Sequence, residues 1–146
     1  MKKTVVALMV ALILSSCART IPLQRTQVAQ ISNETEISNL ESMLGRATEV
    51  RRFEFAAQGK SFLAREYQLH VSSRSETRMI CTPNCFVTIV PVPIFQEYVL
   101  VHEIGAQRLF AWGHIEELSK SPDGRVSNIM PALKEARSRQ EAGARR

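Results

Sequence analysis

The sequence predicts an α+β domain: a small antiparallel sheet of three to four strands covered by an N-terminal helix, with a weakly packed C-terminal helix. Three observations carry this. Ile37, Leu40 and Leu44 recur at helical spacing, with Met43 beside them. The period then changes to two, in residues 50–55 and again in 62–71, on either side of Gln58-Gly59-Lys60. A helix followed by a run of strands is the order of an α+β fold.

The helix is framed by sequence signals at both ends. Asn33 is a good N-cap, Glu36 three residues later completes a capping-box-like pair, and Gly45 stands where a helix stops. In the first strand Phe53 and Phe55 share a face. In the second, Leu63, Tyr67, Leu69 and Val71 do, and the two form an antiparallel hairpin. Residues 72–76 are polar and read as a loop. Residues 86–94 are apolar, but Pro91 and Pro93 cannot donate ladder hydrogen bonds, which predicts an edge strand or extended segment. Residues 95–104 are a third strand candidate, Gly105-Ala106-Gln107 a turn, and 108–112 a fourth strand. Residues 115–118 make at most a turn of helix. Ser121-Pro122-Asp123-Gly124 is a strong turn signal. Residues 131–142 read as a final helix, with Pro131 in its first turn and Gly143 beyond its end. Only Leu133 and Ala136 offer it an apolar face, so it is expected to contribute little to the core.

The N-terminus carries the clearest signal of address. Lys2 and Lys3 precede ten apolar residues, Val5 to Leu14, followed by Leu14-Ser15-Ser16-Cys17. Ten residues are too few to cross a hydrocarbon core of ~30 Å, which needs roughly 20. Charge, apolar run and small residues make a secretory signal, and the cysteine after Leu-Ser-Ser resembles the lipobox of a bacterial lipoprotein. The resemblance implies that Cys17 is lipidated on a diacylglyceryl thioether, becomes the mature N-terminus and is N-acylated. Several acyl chains then hold the protein at a membrane, each buried methylene contributing ~0.8 kcal/mol. Ala18 is not the aspartate linked to inner-membrane retention, so the resemblance places the protein at the outer membrane, lipid-anchored on its periplasmic face.

The expected organisation is a signal over 1–16, a flexible tether over 17–30, the α+β domain over 31–130 and a basic C-terminal helix or tail over 131–146. The part from Cys17 onward has 130 residues, one domain's worth, and 17 basic against 14 acidic side chains. From Lys134 on there are five basic and two acidic residues, so the body is balanced and the excess of +3 sits in the tail. A neutral body behind an export signal argues against nucleic acid as partner. The tail is either a solvated end or a surface for anionic headgroups or an acidic partner.

With Cys17 lipidated, Cys81 and Cys85 remain, and in an oxidising envelope an even pair is most simply a disulfide. Thr82-Pro83-Asn84 between them is turn chemistry. A redox-active pair or free thiols are the alternatives. The histidines, His70, His102 and His114, show no metal-ligand spacing, and no nucleophile elbow, phosphate loop or dinucleotide fingerprint occurs. No catalytic residue, cofactor, metal or small-molecule substrate is therefore inferred. His102-Glu103 and His114-Ile115-Glu116-Glu117 are the places where acid-base chemistry could sit. Phe53, Phe55, Tyr67, Tyr98, Phe110 and Trp112 are expected in the core under the helix, or in part as a patch for a protein partner.

Lipobox, tether, a capped helix ending Ser42-Met43-Leu44-Gly45 and then strands resemble, in that order, the SmpA/OmlA (BamE-like) family of outer-membrane lipoproteins. The match runs from Asn33-Glu34-Thr35-Glu36-Ile37 to Leu44-Gly45, and residues 98–104 and 108–112 correspond to the family's final hairpin. The chain departs from the family in having Ile31-Ser32-Asn33 for a Gly before the helix and Arg46 for a Pro after Leu-Gly. The resemblance implies a non-enzymatic accessory subunit, binding an envelope protein in outer-membrane protein assembly. An accessory lipoprotein of a secretion or conjugation apparatus, or an envelope enzyme or enzyme inhibitor, are the alternatives.

Overall fold

The computed structural model describes residues 20–32 and 34–144. Cys17 and Asn33 lie outside the described residues. The fold is α+β. Strands β1 (Glu49–Ala57), β2 (Lys60–Cys81), β3 (Cys85–Glu103) and β4 (Ala111–His114) form one antiparallel sheet in the order β1-β2-β3-β4. Helices α1 (Arg25–Val28) and α2 (Ile37–Leu44) precede the sheet, and α3 (Ile115–Ser119) and α4 (Gly124–Ala144) follow it. The β1–β2 turn is Gln58-Gly59, both at positive φ (53° and 74°), a tight hairpin connection that glycine makes without steric cost.

Both faces of the sheet are covered, and the larger cover is the C-terminal helix. Phe53, Phe55, Phe62, Ala64, Val99 and Val101 bury one face against Val126, Ile129, Met130 and Leu133 of α4, with Ile115 and Leu118 of α3 closing the edge. On the opposite face Tyr67, Leu69, Tyr98 and Leu100 cluster with Leu40 and Leu44 of α2 and with Leu23, Ile31 and Leu109. The aromatics expected in one layer are thus divided between two.

Several expectations are corrected. The C-terminal helix is 21 residues long, starts at Gly124 and is not weakly packed: Leu133 and Ile129 are fully buried. Its start is closed by Asp123, whose carboxylate accepts the Arg125 N–H at 2.9 Å. Pro131 stands inside the helix rather than in its first turn. The apolar stripe at 126, 129, 130 and 133 is helical in spacing, but a boundary placed at the proline cuts it in half.

The supposed tether is docked from Ile21 onward. Thr48 donates its N–H to the Ile21 carbonyl at 2.7 Å, and Leu23, fully buried, exchanges backbone hydrogen bonds with β2 at Gln68 and His70. Gln27 Nε2 then donates to the Leu44 carbonyl at 2.6 Å, tying α1 to the end of α2. Leu23 and Ile31 show no period because the segment docks as one extended contact followed by a turn. Burying Leu23 is worth about 2 kcal/mol relative to leaving it in water.

Helix α2 begins one turn later than its capping signal suggests: Glu36 is the N-cap residue, with extended φ/ψ, and Thr35 Oγ1 accepts the Ser32 N–H at 2.8 Å. The helix does end at Gly45, at φ 58°, with its N–H on the Glu41 carbonyl. The fourth strand is shifted to Ala111–His114, since Arg108 bridges Glu36 and Leu109 donates to the Thr35 carbonyl.

Finally, residues 72–76 are strand and not loop, and the segments expected at 86–94 and 95–104 are one strand, Cys85–Glu103. β2 and β3 pair without a break from Ser72↔Ile94 to Cys81↔Cys85.

Candidate functional site

That long pairing builds the most exposed feature of the molecule. The β1 ladder ends at Glu49↔Tyr67 and the β4 ladder at Tyr98↔His114. Beyond them Leu23 still pairs with β2 as far as His70, and from Ser72↔Ile94 to Cys81↔Cys85 the strands β2 and β3 continue alone as a two-stranded arm of ten residues per strand, roughly 33 Å at the usual strand rise. Cys81 and Cys85 close its tip as a disulfide, S–S 2.04 Å, so the pair singled out in the sequence is joined. The peptide between Thr82 and Pro83 is cis.

Alternation gives the arm two unlike faces. One carries Met79, Val87 and Ile89 with Pro91 and Pro93, and these three side chains are 63–70% exposed. The other sets the row Arg74, Glu76, Arg78 beside Phe86, Val90 and Val92. Exposed apolar side chains of the body, such as Val50 and Ile104, are 47–48% exposed, whereas Met79, Val87 and Ile89 lie further out in water. A cluster of this kind marks an interaction surface more often than a monomer's ordinary surface. Sequence reasoning singled out the cysteines and missed the arm. The signal was Cys-x3-Cys at the centre of two segments of matched length, obscured because an arm without a core need not alternate apolar with polar.

Beside the base of the arm lies an open groove of about 310 Å³ lined by Gln96, Glu97, His114, Ile115, Glu116, Glu117 and Arg137. It contains the His114 and acidic neighbours noted in the sequence. His114 Nδ1 is 3.1 Å from the Glu97 carbonyl, and its ring meets Tyr98 edge-on. The titratable side chains of the groove are His114, Glu97, Glu116, Glu117 and Arg137.

Glu97 and Arg137 of the groove also belong to an ionic network that crosses from sheet to α4. Glu66, 2% exposed, lies 2.9 Å from Arg51 Nε and 3.1 Å from Arg137 Nε. Glu97 and Glu141 complete the pattern by pairing with the same two guanidiniums. Burial pushes the Glu66 carboxyl up, and Arg137 and Arg51 pull it back. A second network on the opposite face joins Arg65 to Glu49 and to Glu41 of α2. Burial raises the Tyr67 and Tyr98 phenols far above their ordinary range.

The three histidines are not brought together. His70 stands at the arm's base, 3.3 Å from Ser73 Oγ and tilted against Phe95. His102 is half-buried, its imidazole pushed down by burial and by Arg65 and Arg52. Among the described residues no group of His, Cys, Asp and Glu could hold a metal ion, and no helix is long and apolar enough to cross a membrane. No protein-family model, curated protein or solved structure matches the chain.

Proposed function

We propose that the protein is a lipid-anchored accessory of the bacterial envelope that presents its hairpin arm to a protein partner. It is anchored through Cys17 at the periplasmic face of the outer membrane. The observation that carries the binding role is the arm: an apolar surface with Met79, Val87 and Ile89 exposed, projecting from a body whose core is already filled. The Leu14-Ser15-Ser16-Cys17 run supports the address. The finer reading is an accessory, non-enzymatic subunit in outer-membrane protein assembly, with a secretion or conjugation apparatus as the alternative setting.

The anchor is tested by Cys17→Ser, expected to move the protein out of the membrane fraction and abolish acyl labelling. Undiminished labelling refutes it. The partner is tested by pull-down from detergent-solubilised membranes with the wild type and with Val87→Ser/Ile89→Ser. The double variant is expected to keep its melting temperature, since neither side chain is in a core, and to lose at least tenfold of the captured partner. Equal capture by both proteins assigns binding to another surface. Barrel-assembly subunits in the wild-type eluate support the finer reading, and secretion subunits the alternative.

A further inference from the structure

The two edges of the arm are not equivalent, and the prolines decide which is open. The ladder runs through Ser75↔Pro91 and Ser73↔Pro93. Proline has no N–H, so these must be pairs whose own N–H and C=O groups point away from the partner strand. By alternation Thr77↔Ile89, Met79↔Val87 and Cys81↔Cys85 are of the same kind. The Cys81–Cys85 Cα separation of 4.0 Å agrees, because this is the narrow type of antiparallel pair. On β3 the outward edge therefore lacks two donors at Pro91 and Pro93 and is blunted against strand addition. On β2 it presents the N–H and C=O groups of Ser73, Ser75, Thr77 and Met79. Among the described residues no strand pairs with β2 beyond Leu23, which stops at His70.

We infer that the β2 edge of the arm pairs with the same edge of a second copy of this chain, antiparallel and two-fold symmetric about Thr77. Because the β3 edge lacks two donors, the arm offers its fuller edge on β2, and joining β2 to β2 is an isologous contact that closes at a dimer rather than growing into a fibre. Charge fixes the register. Arg74, Glu76 and Arg78 line one face of this edge. Centring the two-fold on Glu76 would set Arg74 against Arg78 of the other copy and Glu76 against itself, which is unfavourable. Centring on Thr77 sets Glu76 against Arg78 twice and Thr77 against Thr77, both favourable cross-strand pairs. Centring on Ser75 also matches charges, but it drives the second copy's tip onto Gln24, Arg25 and Thr26, which flank Val71. The Thr77 register uses residues 73–81 and stays clear of the body. The resulting four-stranded ribbon sets Met79, Val87 and Ile89 of both copies on one apolar face. Pairing uses the edge and does not rest on the reading of the preceding section.

Sedimentation equilibrium of the full chain in density-matched detergent tests this. The wild type is expected at twice the chain mass. In Thr77→Pro the lost N–H is one that faces outward, so the β2–β3 ladder survives as it does at Pro91 and Pro93. This variant is expected to be monomeric with unchanged circular dichroism. Glu76→Arg should weaken association by about tenfold, and adding Arg78→Glu should restore it. These charge variants decide the question if the proline variant misfolds. A wild type still monomeric at about 100 μM, a folded Thr77→Pro variant that remains dimeric, or a charge swap that fails to restore association overturns the inference.

Discussion

Deleting residues 134–146 should lower the melting temperature by roughly 12 °C or more, a loss of about 3 kcal/mol for a domain of this size. The sequence alone suggests the opposite, because that segment is polar and carries the whole positive excess of the chain from Cys17 onward. The structure places Ala136 against the core and Arg137 on the buried carboxylate of Glu66. Without Arg137, Glu66, which is 2% exposed in the intact chain, keeps only Arg51 as a partner, with the repulsion of Glu97 only partly offset. Removing one partner from a buried ion pair typically costs ~3–5 kcal/mol, far more than a surface pair is worth. Thermal unfolding of the truncated chain beside Arg137→Ala separates the causes. If Arg137→Ala reproduces most of the loss, the ionic network dominates. A truncated protein that melts within about 3 °C of the wild type would show that the helix end is a solvated tail.

Leu133→Ala should destabilise the protein by about 3 kcal/mol, within the range for emptying a fully buried leucine site. Leu133 is 0% exposed and packs into the cluster that holds Phe53, Phe55 and Ile129, so the cavity has little chance to collapse. Met79→Ser in the arm should move the melting temperature by no more than a degree or two, because its side chain is 70% exposed and loses little packing. Chemical denaturation of both variants checks the contrast. Comparable losses at the two positions would mean that the arm folds back onto the body in solution.

The regular elements of the body were legible wherever one face is dry and the other wet. Phe53 and Phe55, Ile37 to Leu44 with Gly45 as its stop, and the Gln58-Gly59 turn all reveal themselves by local period and turn chemistry. The Cys81–Cys85 link was legible too, as an even cysteine pair around the turn residues Thr82-Pro83-Asn84. Legibility ended where a residue's partner is remote in sequence. Residues 62–69 of β2 are covered on both faces, so Glu66 reads as a polar break in an apolar run until Arg51 and Arg137 are seen against it. The arm failed for the reverse reason. With no core on either face it has no alternation to detect, and its strand character comes from the β2–β3 register.

The amino-acid order by itself determined the α+β class, the local elements that have their own caps and turns, the cysteine pair at a turn and the charge balance of the body. Each of these depends on neighbours within a few residues. Tertiary structure alone decided that α4 is a core helix running through Pro131, that residues 21–31 are docked, and that β2 and β3 outrun the sheet as an arm with one open edge. Those outcomes depend on which surfaces meet across the fold: burial against a distant strand outweighs local propensity, and an edge is open only because no other segment reaches it.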